Sequence, residues 1–161
     1  MNLFYLHPDP TVAAQMQCDK HVVKMLLETA QMLCTAHHEV DGSRAPKRLY
    51  KSAYKNHPST RWVRADAYHY EWAYKHFAAL CDEYTYRYGK VHTTDRKLRK
   101  LLSKPPRKLA FKSWQSDPPQ CMPDDYKQAD TVKAYRAYYQ SDDKRRFAAW
   151  RKLRPAPSWW K

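Results

Sequence analysis

Glycine is nearly absent from this chain of 161 residues: only Gly42 and Gly89 occur. Phosphate-cradling loops of the Walker and dinucleotide types need several glycines in one short stretch, so both classes are excluded. Long apolar runs are missing as well. No segment approaches the roughly 20 apolar residues of a membrane helix, and no basic run leads into an apolar stretch at the start, so neither a span nor a signal peptide is expected. The four cysteines, Cys18, Cys34, Cys81 and Cys121, stand far apart. Most sit on apolar helical faces, so reduced, buried thiols in a cytoplasmic protein are the expectation. There is no alternating strand pattern, no internal repeat and no Gly-x-Ser-x-Gly nucleophile elbow. Acidic side chains are in the minority, 16 against 30 Lys plus Arg.

What is there begins with that imbalance. The formal charge of +14 attracts polyanions, and nucleic acid is the default partner. The 6 Trp and 13 Tyr are interleaved with the basic residues. Rings of that kind stack on bases while Lys and Arg take the phosphates, which separates this composition from that of a merely soluble basic protein.

Asp9 to His38 reads as one long amphipathic helix, with Asp9 as N-cap and Pro10 at the first helical position. Val12, Met16, Val22, Val23, Leu26, Leu27, Ala30, Leu33 and Cys34 recur at helical spacing and form an apolar stripe. Gln17, Lys20, His21, Lys24, Glu28 and Gln31 form the opposite, polar face. His21 and Glu28 are two turns apart, about 10 Å, with Lys24 between them. Asp19 falls inside the apolar stripe, where a carboxylate must be paired or have a raised pKa.

The remaining chain punctuates itself. Val40 to Asn56 is a basic connection with a weak helical piece, RLYKSAY. In it Arg44, Lys47, Arg48, Lys51 and Lys55 make a phosphate-contacting strip, and Gly42 stops the helix before it. His57 to Gly89 is a second helical region with a break near Asp66. Thr94 is expected to cap DRKLRKLLSK, Asp130 to cap TVKAYRAYYQ, and Asp142 or Asp143 to cap KRRFAAWRKL. Arg107 to Gln128 reads as a long ordered loop rich in proline, a kind of segment that is often functional. The expected fold is all-α: a compact single domain of two long packed helices, shorter helices and that Pro-rich loop.

Three chemistries were weighed on these residues. Cys18/His21 and Cys34/His37 resemble two zinc half-sites, but on one helix they lie about 24 Å apart, which no ion bridges, so no metal is expected. Serine or cysteine nucleophiles have no local partner. Amine catalysis remains. A terminal α-amine, with an unperturbed pKa near 8, is partly neutral at pH 7. It can form an imine with a sugar C1′ if a carboxylate is close enough to move protons and stabilise positive charge. Glu28 on the first helix, entered from a short N-terminal segment, suits that need.

These residues resemble the pyrimidine-dimer DNA glycosylases of the phage endonuclease V type. The matching pieces are the short N-terminal segment, Asp19-Lys20-His21 with Glu28 seven residues after the histidine, Tyr54-Lys55-Asn56-His57-Pro58, CDEYTYRYG ending at Gly89, and Arg154-Pro155 with Trp159 and Trp160. The chain is also similar to small phage proteins carrying CDKHVVKM, NHPS, RYGK and MPDDYK-like stretches. The resemblance implies an all-α repair enzyme that acts on damaged pyrimidines in duplex DNA as a glycosylase and AP lyase. It implies catalysis by the Met1 amine and Glu28, with His21 orienting Glu28 or contacting phosphate. It implies DNA contacts from Lys20, Lys24, Arg44, Lys47, Arg48, Lys51, His57, Arg61, Trp159 and Trp160. It implies no cofactor, a monomer, and a phage-encoded protein working in the cytoplasm of the infected host. Two departures stand out: Asn2, rather than a small residue, follows Met1, and Leu27 and Gln31 occupy offsets where the family carries arginine. The alternative is a non-catalytic DNA-binding phage protein, or one that processes modified bases on the same scaffold.

Overall fold

The stretch read as one helix from Asp9 to His38 is in fact two. In the computed structural model, which describes residues 1–161, α1 (Pro10–Met16) and α2 (Asp19–Asp41) are separated by Gln17 and Cys18 in extended conformation. Distant side chains hold the break open. Arg87 donates to the carbonyls of Gln15 and Gln17 at 2.9 and 2.7 Å, Trp150 donates to that of Met16, and the Cys18 N–H donates to the Tyr139 hydroxyl. Backbone groups that a continuous helix would pair internally are thus satisfied from elsewhere. Asp19, the odd carboxylate, is paired: it accepts from Arg87 at 3.2 Å and from the Arg151 N–H at 2.8 Å.

The other helices are α3 (Pro58–Val63), α4 (Ala67–Tyr88), α5 (Thr93–Leu102), α6 (Thr131–Tyr139) and α7 (Asp142–Arg145), with 3-10 turns at Gly42–Arg44 and Asp124–Tyr126 and no strand. The central pair is α2 against α4, with α1 also on α4 and with α3 and α5 on α2. Met25, Leu26, Ala30 and Leu33 of α2 meet Ala73, Phe77 and Leu80 of α4 in one core. The buried face is turned from the expected one: Leu27 of α2 is exposed, while His21 of α2 and Gln17 in the break, both assigned to the polar face, are buried.

Capping explains most boundaries. Asp66 accepts from Tyr68 N–H to start α4, which gives the expected break after α3. Gly42 (φ +56°) and Gly89 (φ +68°) end α2 and α4 in conformations that other residues adopt reluctantly. Three expectations fail. RLYKSAY is not helical; its backbone is instead tied to α2, with Tyr50 O accepting from His38 and Ala53 bonded through both its N–H and C=O to the Thr35 hydroxyl. α5 is capped by His92, whose Nδ1 accepts from Thr94 N–H, and the Thr94 hydroxyl bonds Tyr50 instead. KRRFAAWRKL gives only one helical turn, with no side-chain cap, and beyond it Phe147 packs on His21 and Trp150 on Tyr139.

Two histidines are held neutral inside this core. His76 bonds Pro10 O through Nδ1 and Gln17 through Nε2, and burial lowers its pKa to about 4. Burial, then the charges of Lys144, Lys24 and Lys20, lowers His21 to about 3. An unfolded histidine titrates near 6.5, so below that pH the unfolded chain binds protons that the folded chain refuses. Stability is therefore full above about pH 6.5 and falls with decreasing pH, by about 2 kcal/mol for each histidine at pH 4.5. Urea melts at pH 7 and 4.5 should show this loss; equal midpoints would mean that the buried rings accept protons in place.

Candidate active site

The first six residues are an internal strut. Asn2 to Leu6 are buried, with Leu3 and Leu6 fully so. The Asn2 amide donates to Cys121 O at 2.9 Å and its oxygen accepts from Phe4 N–H at 3.1 Å. Phe4 has φ +48°, a strained value for a bulky residue, and Leu6 N–H closes a tight turn onto Phe4 O at 2.7 Å. The Phe4 ring stacks on His21 at 4.5 Å and meets Tyr139 edge-on. These contacts aim the chain's first nitrogen at α2. The Met1 amine lies 3.7 Å from Glu28 Oε2, an ion pair but longer than a hydrogen bond. Lys24 Nζ lies 3.6 Å from Glu28 Oε1, and the Glu28 side chain is 17% exposed. Amine and carboxylate thus meet at the surface end of a buried strut, with the carboxylate open to solvent.

Other groups ring this pair. His57 caps α3, its Nδ1 accepting from Ser59 N–H, so the neutral ring carries its proton on Nε2. Burial lowers its pKa, the charge of the Met1 amine lowers it further, and Glu28 opposes both, so the ring feels the charges of the pair. Lys144 lies over the rings of Tyr138, Phe4 and Phe147 at 4.9–5.7 Å, and Lys20 lies over Phe147 at 4.9 Å. The pKa of Lys144 is lowered by burial and then by Lys24. Lys20 and Lys144 thus meet over Phe147, and with Lys24, which pairs with Glu28, they form a cationic rim whose charge is felt at His21.

The expected site residues therefore divide. Met1 and Glu28 are together, with Lys24 beside Glu28 and His57 within electrostatic reach. His21 is not bonded to Glu28 and does not reach solvent. It is 3% exposed and its Nδ1 is hydrogen-bonded to the Tyr139 hydroxyl at 2.7 Å, so burial keeps the ring from direct contact with phosphate. Arg44, Lys47, Arg48 and Lys51 are exposed and form no ion pair, and they lie on the connection that runs back along α2. Arg48 joins Tyr50, Arg96 and Lys97 around an open hollow of about 530 Å³. Arg61 is exposed beside a second hollow, of about 450 Å³, shared with Asn56 and Asp117. Trp159 and Trp160 do not stand out as a free aromatic tail. They pack on Tyr139 at 6.0 and 6.4 Å, covered by Arg136 and Arg145, so those indole faces are spent on closing the fold.

Sequence reading missed Lys144, Asn2 and Cys121. Lys144 sits in a run of basic residues without distinctive spacing, and Asn2 and Cys121 meet across 119 positions. The separate cysteine–histidine pairs are occupied otherwise: His21 with Tyr139 and His37 with Tyr70. No group of three or more His, Cys, Asp or Glu is placed to hold a metal ion.

Residues 1–97 match the family model of the pyrimidine dimer DNA glycosylases. The chain belongs to that family. The matched part carries Met1, His21, Glu28 and His57, whereas Cys121, Tyr139 and Lys144, which complete the frame, lie beyond it. Membership in this glycosylase family supports a DNA-repair role and a DNA substrate. No curated protein and no solved structure is a match. No helix is long and apolar enough to cross a membrane.

Proposed function

We propose that this glycosylase acts on damaged pyrimidines in duplex DNA through an imine formed by the Met1 amine, with Glu28 as its proton-transfer partner. The observation that carries the reading is the 3.7 Å approach of that amine to Glu28 at the edge of a cationic rim. The neutral amine attacks C1′ of the damaged nucleotide, and the C1′–N bond breaks with its electron pair leaving on the base. Glu28 takes the proton that the attacking nitrogen must lose, and its charge stabilises the positive sugar. Opening of the sugar ring then leaves the imine. Loss of a C2′ proton from it expels the 3′ phosphate and cuts the strand. Lys20, Lys24 and Lys144 take the flanking phosphates, and the exposed basic residues from Arg44 to Lys51 extend the contact along the duplex. Arg61, exposed on α3, and His57, which caps that helix, add further contacts to the DNA. His21 works through Phe4: its stacking fixes the bend that aims the amine, so it is a positioning residue.

Borohydride reduction during reaction with ultraviolet-irradiated duplex tests this directly. The expected result is a stable protein–DNA adduct whose attachment maps to the Met1 nitrogen. If no adduct forms while binding is tight, salt-sensitive and indifferent to damage, the protein binds DNA without this chemistry.

A further inference from the structure

Tyr54 is the most exposed large apolar side chain of the molecule, at 71%. It also has φ +48°, a conformation that an aromatic residue seldom adopts. Neither property reflects a loose loop. Ala53, just before it, is held by the Thr35 hydroxyl at 3.0 and 3.2 Å, and just after it His57 N–H donates to Tyr54 O at 2.9 Å. The ring is therefore pushed outward from a backbone pinned on both sides. Its place is equally specific. Thr35 and Glu28 are seven residues apart on α2, which puts them on one face, about 20° apart around the axis and about 10 Å along it. His57, at the other end of the turn, caps α3 and is within electrostatic reach of the Met1 amine. Lys51 and Lys55 lie on either side of Tyr54 in the sequence and both are exposed, with Lys55 Nζ 3.9 Å from Glu39 Oε2. An apolar plane is thus displayed among exposed lysines, on the face of α2 that carries Glu28 and about two turns from it.

Opening a duplex at the reacting step displaces a base from one strand or the other and leaves a gap in the stack. Apolar side chains inserted at a base step fill such gaps. We propose that Tyr54 is the stacking wedge of this site, entering the base stack at the damaged step and holding the gap open while the amine reaches the sugar. This assignment rests on the glycosylase reading above. Aromatic–base stacking changes affinity by about fivefold to a hundredfold. The preference for an opened step is where that factor belongs.

The test compares binding, by fluorescence anisotropy, to a duplex containing a tetrahydrofuran abasic analogue and to the same duplex intact. Tyr54→Asn keeps a residue that tolerates the left-handed backbone and removes the ring; Tyr54→Phe keeps the ring. Expected is a loss of about tenfold or more on the abasic duplex for Tyr54→Asn, with the intact duplex changed less than about twofold, and wild-type behaviour for Tyr54→Phe. 2-Aminopurine opposite the analogue should lose its wild-type fluorescence response in Tyr54→Asn alone. An unchanged abasic-to-intact ratio in Tyr54→Asn, or an equal loss on both duplexes, overturns the wedge. The parent reading fails separately, by the absence of a borohydride adduct with the wild-type protein.

Discussion

Glu28→Gln is expected to slow strand cleavage at ultraviolet-damaged sites by about 10²- to 10⁴-fold, the range spanned by a positioned proton-transfer group. The substitution keeps shape and removes charge. Its effect should therefore separate chemistry from binding. The carboxylate faces the Met1 amine at 3.7 Å and Lys24 at 3.6 Å, and both cations lose their counter-charge. The rim becomes more positive, so affinity for intact duplex should hold or rise. Single-turnover cleavage beside anisotropy binding gives both numbers. Cleavage within threefold of wild type would move the proton-transfer role to another group, and a parallel loss of binding would mean that Glu28 supports the fold instead.

Arg87→Met should destabilise the protein by about 3–5 kcal/mol, the usual result of removing one partner from a buried charged cluster. The Arg87 side chain has no solvent exposure. It bonds Glu83 at 2.9 Å, Asp19 at 3.2 Å and the carbonyls of Gln15 and Gln17. Arg154 holds the other side of Glu83 at 2.7 Å. Without the guanidinium, Asp19 and Glu83 are left short of positive charge and the α1–α2 break loses two of its external donors. Urea denaturation measures the loss. Arg87→Lys should recover only part of it, because a single ammonium cannot reach the same four acceptors from one position. A change under 1 kcal/mol in Arg87→Met would show that the break is maintained by Trp150 and Tyr139 alone.

Arg87 also marks where the sequence stops being legible. Gly42, Gly89, Asp66 and Asp130 end or start helices as local chemistry dictates, since a cap needs only its own turn. The Met1–Glu28 pairing followed from a short entry segment, a helix and a family resemblance. The interruption of that helix did not, because Val12 to Cys34 keeps a helical apolar period straight through it. What breaks it are side chains about 70 to 135 positions away. For the same reason His21 was placed among solvent-facing polar residues. Its neighbours Phe4, Tyr139 and Phe147 come from both ends of the chain, and they turn an apparent surface imidazole into a core ring. The terminal tryptophans erred in the opposite direction: apolar, aromatic and close to the end, they look free until Tyr139 is placed beneath them.

The berth of the opening residues is built from the closing ones. Asn2 is tied to Cys121, Leu6 O to Arg136, and His21 to Tyr139. The opening segment therefore takes its place only after the final third of the chain has folded, which makes the approach of the Met1 amine to Glu28 a late product of folding.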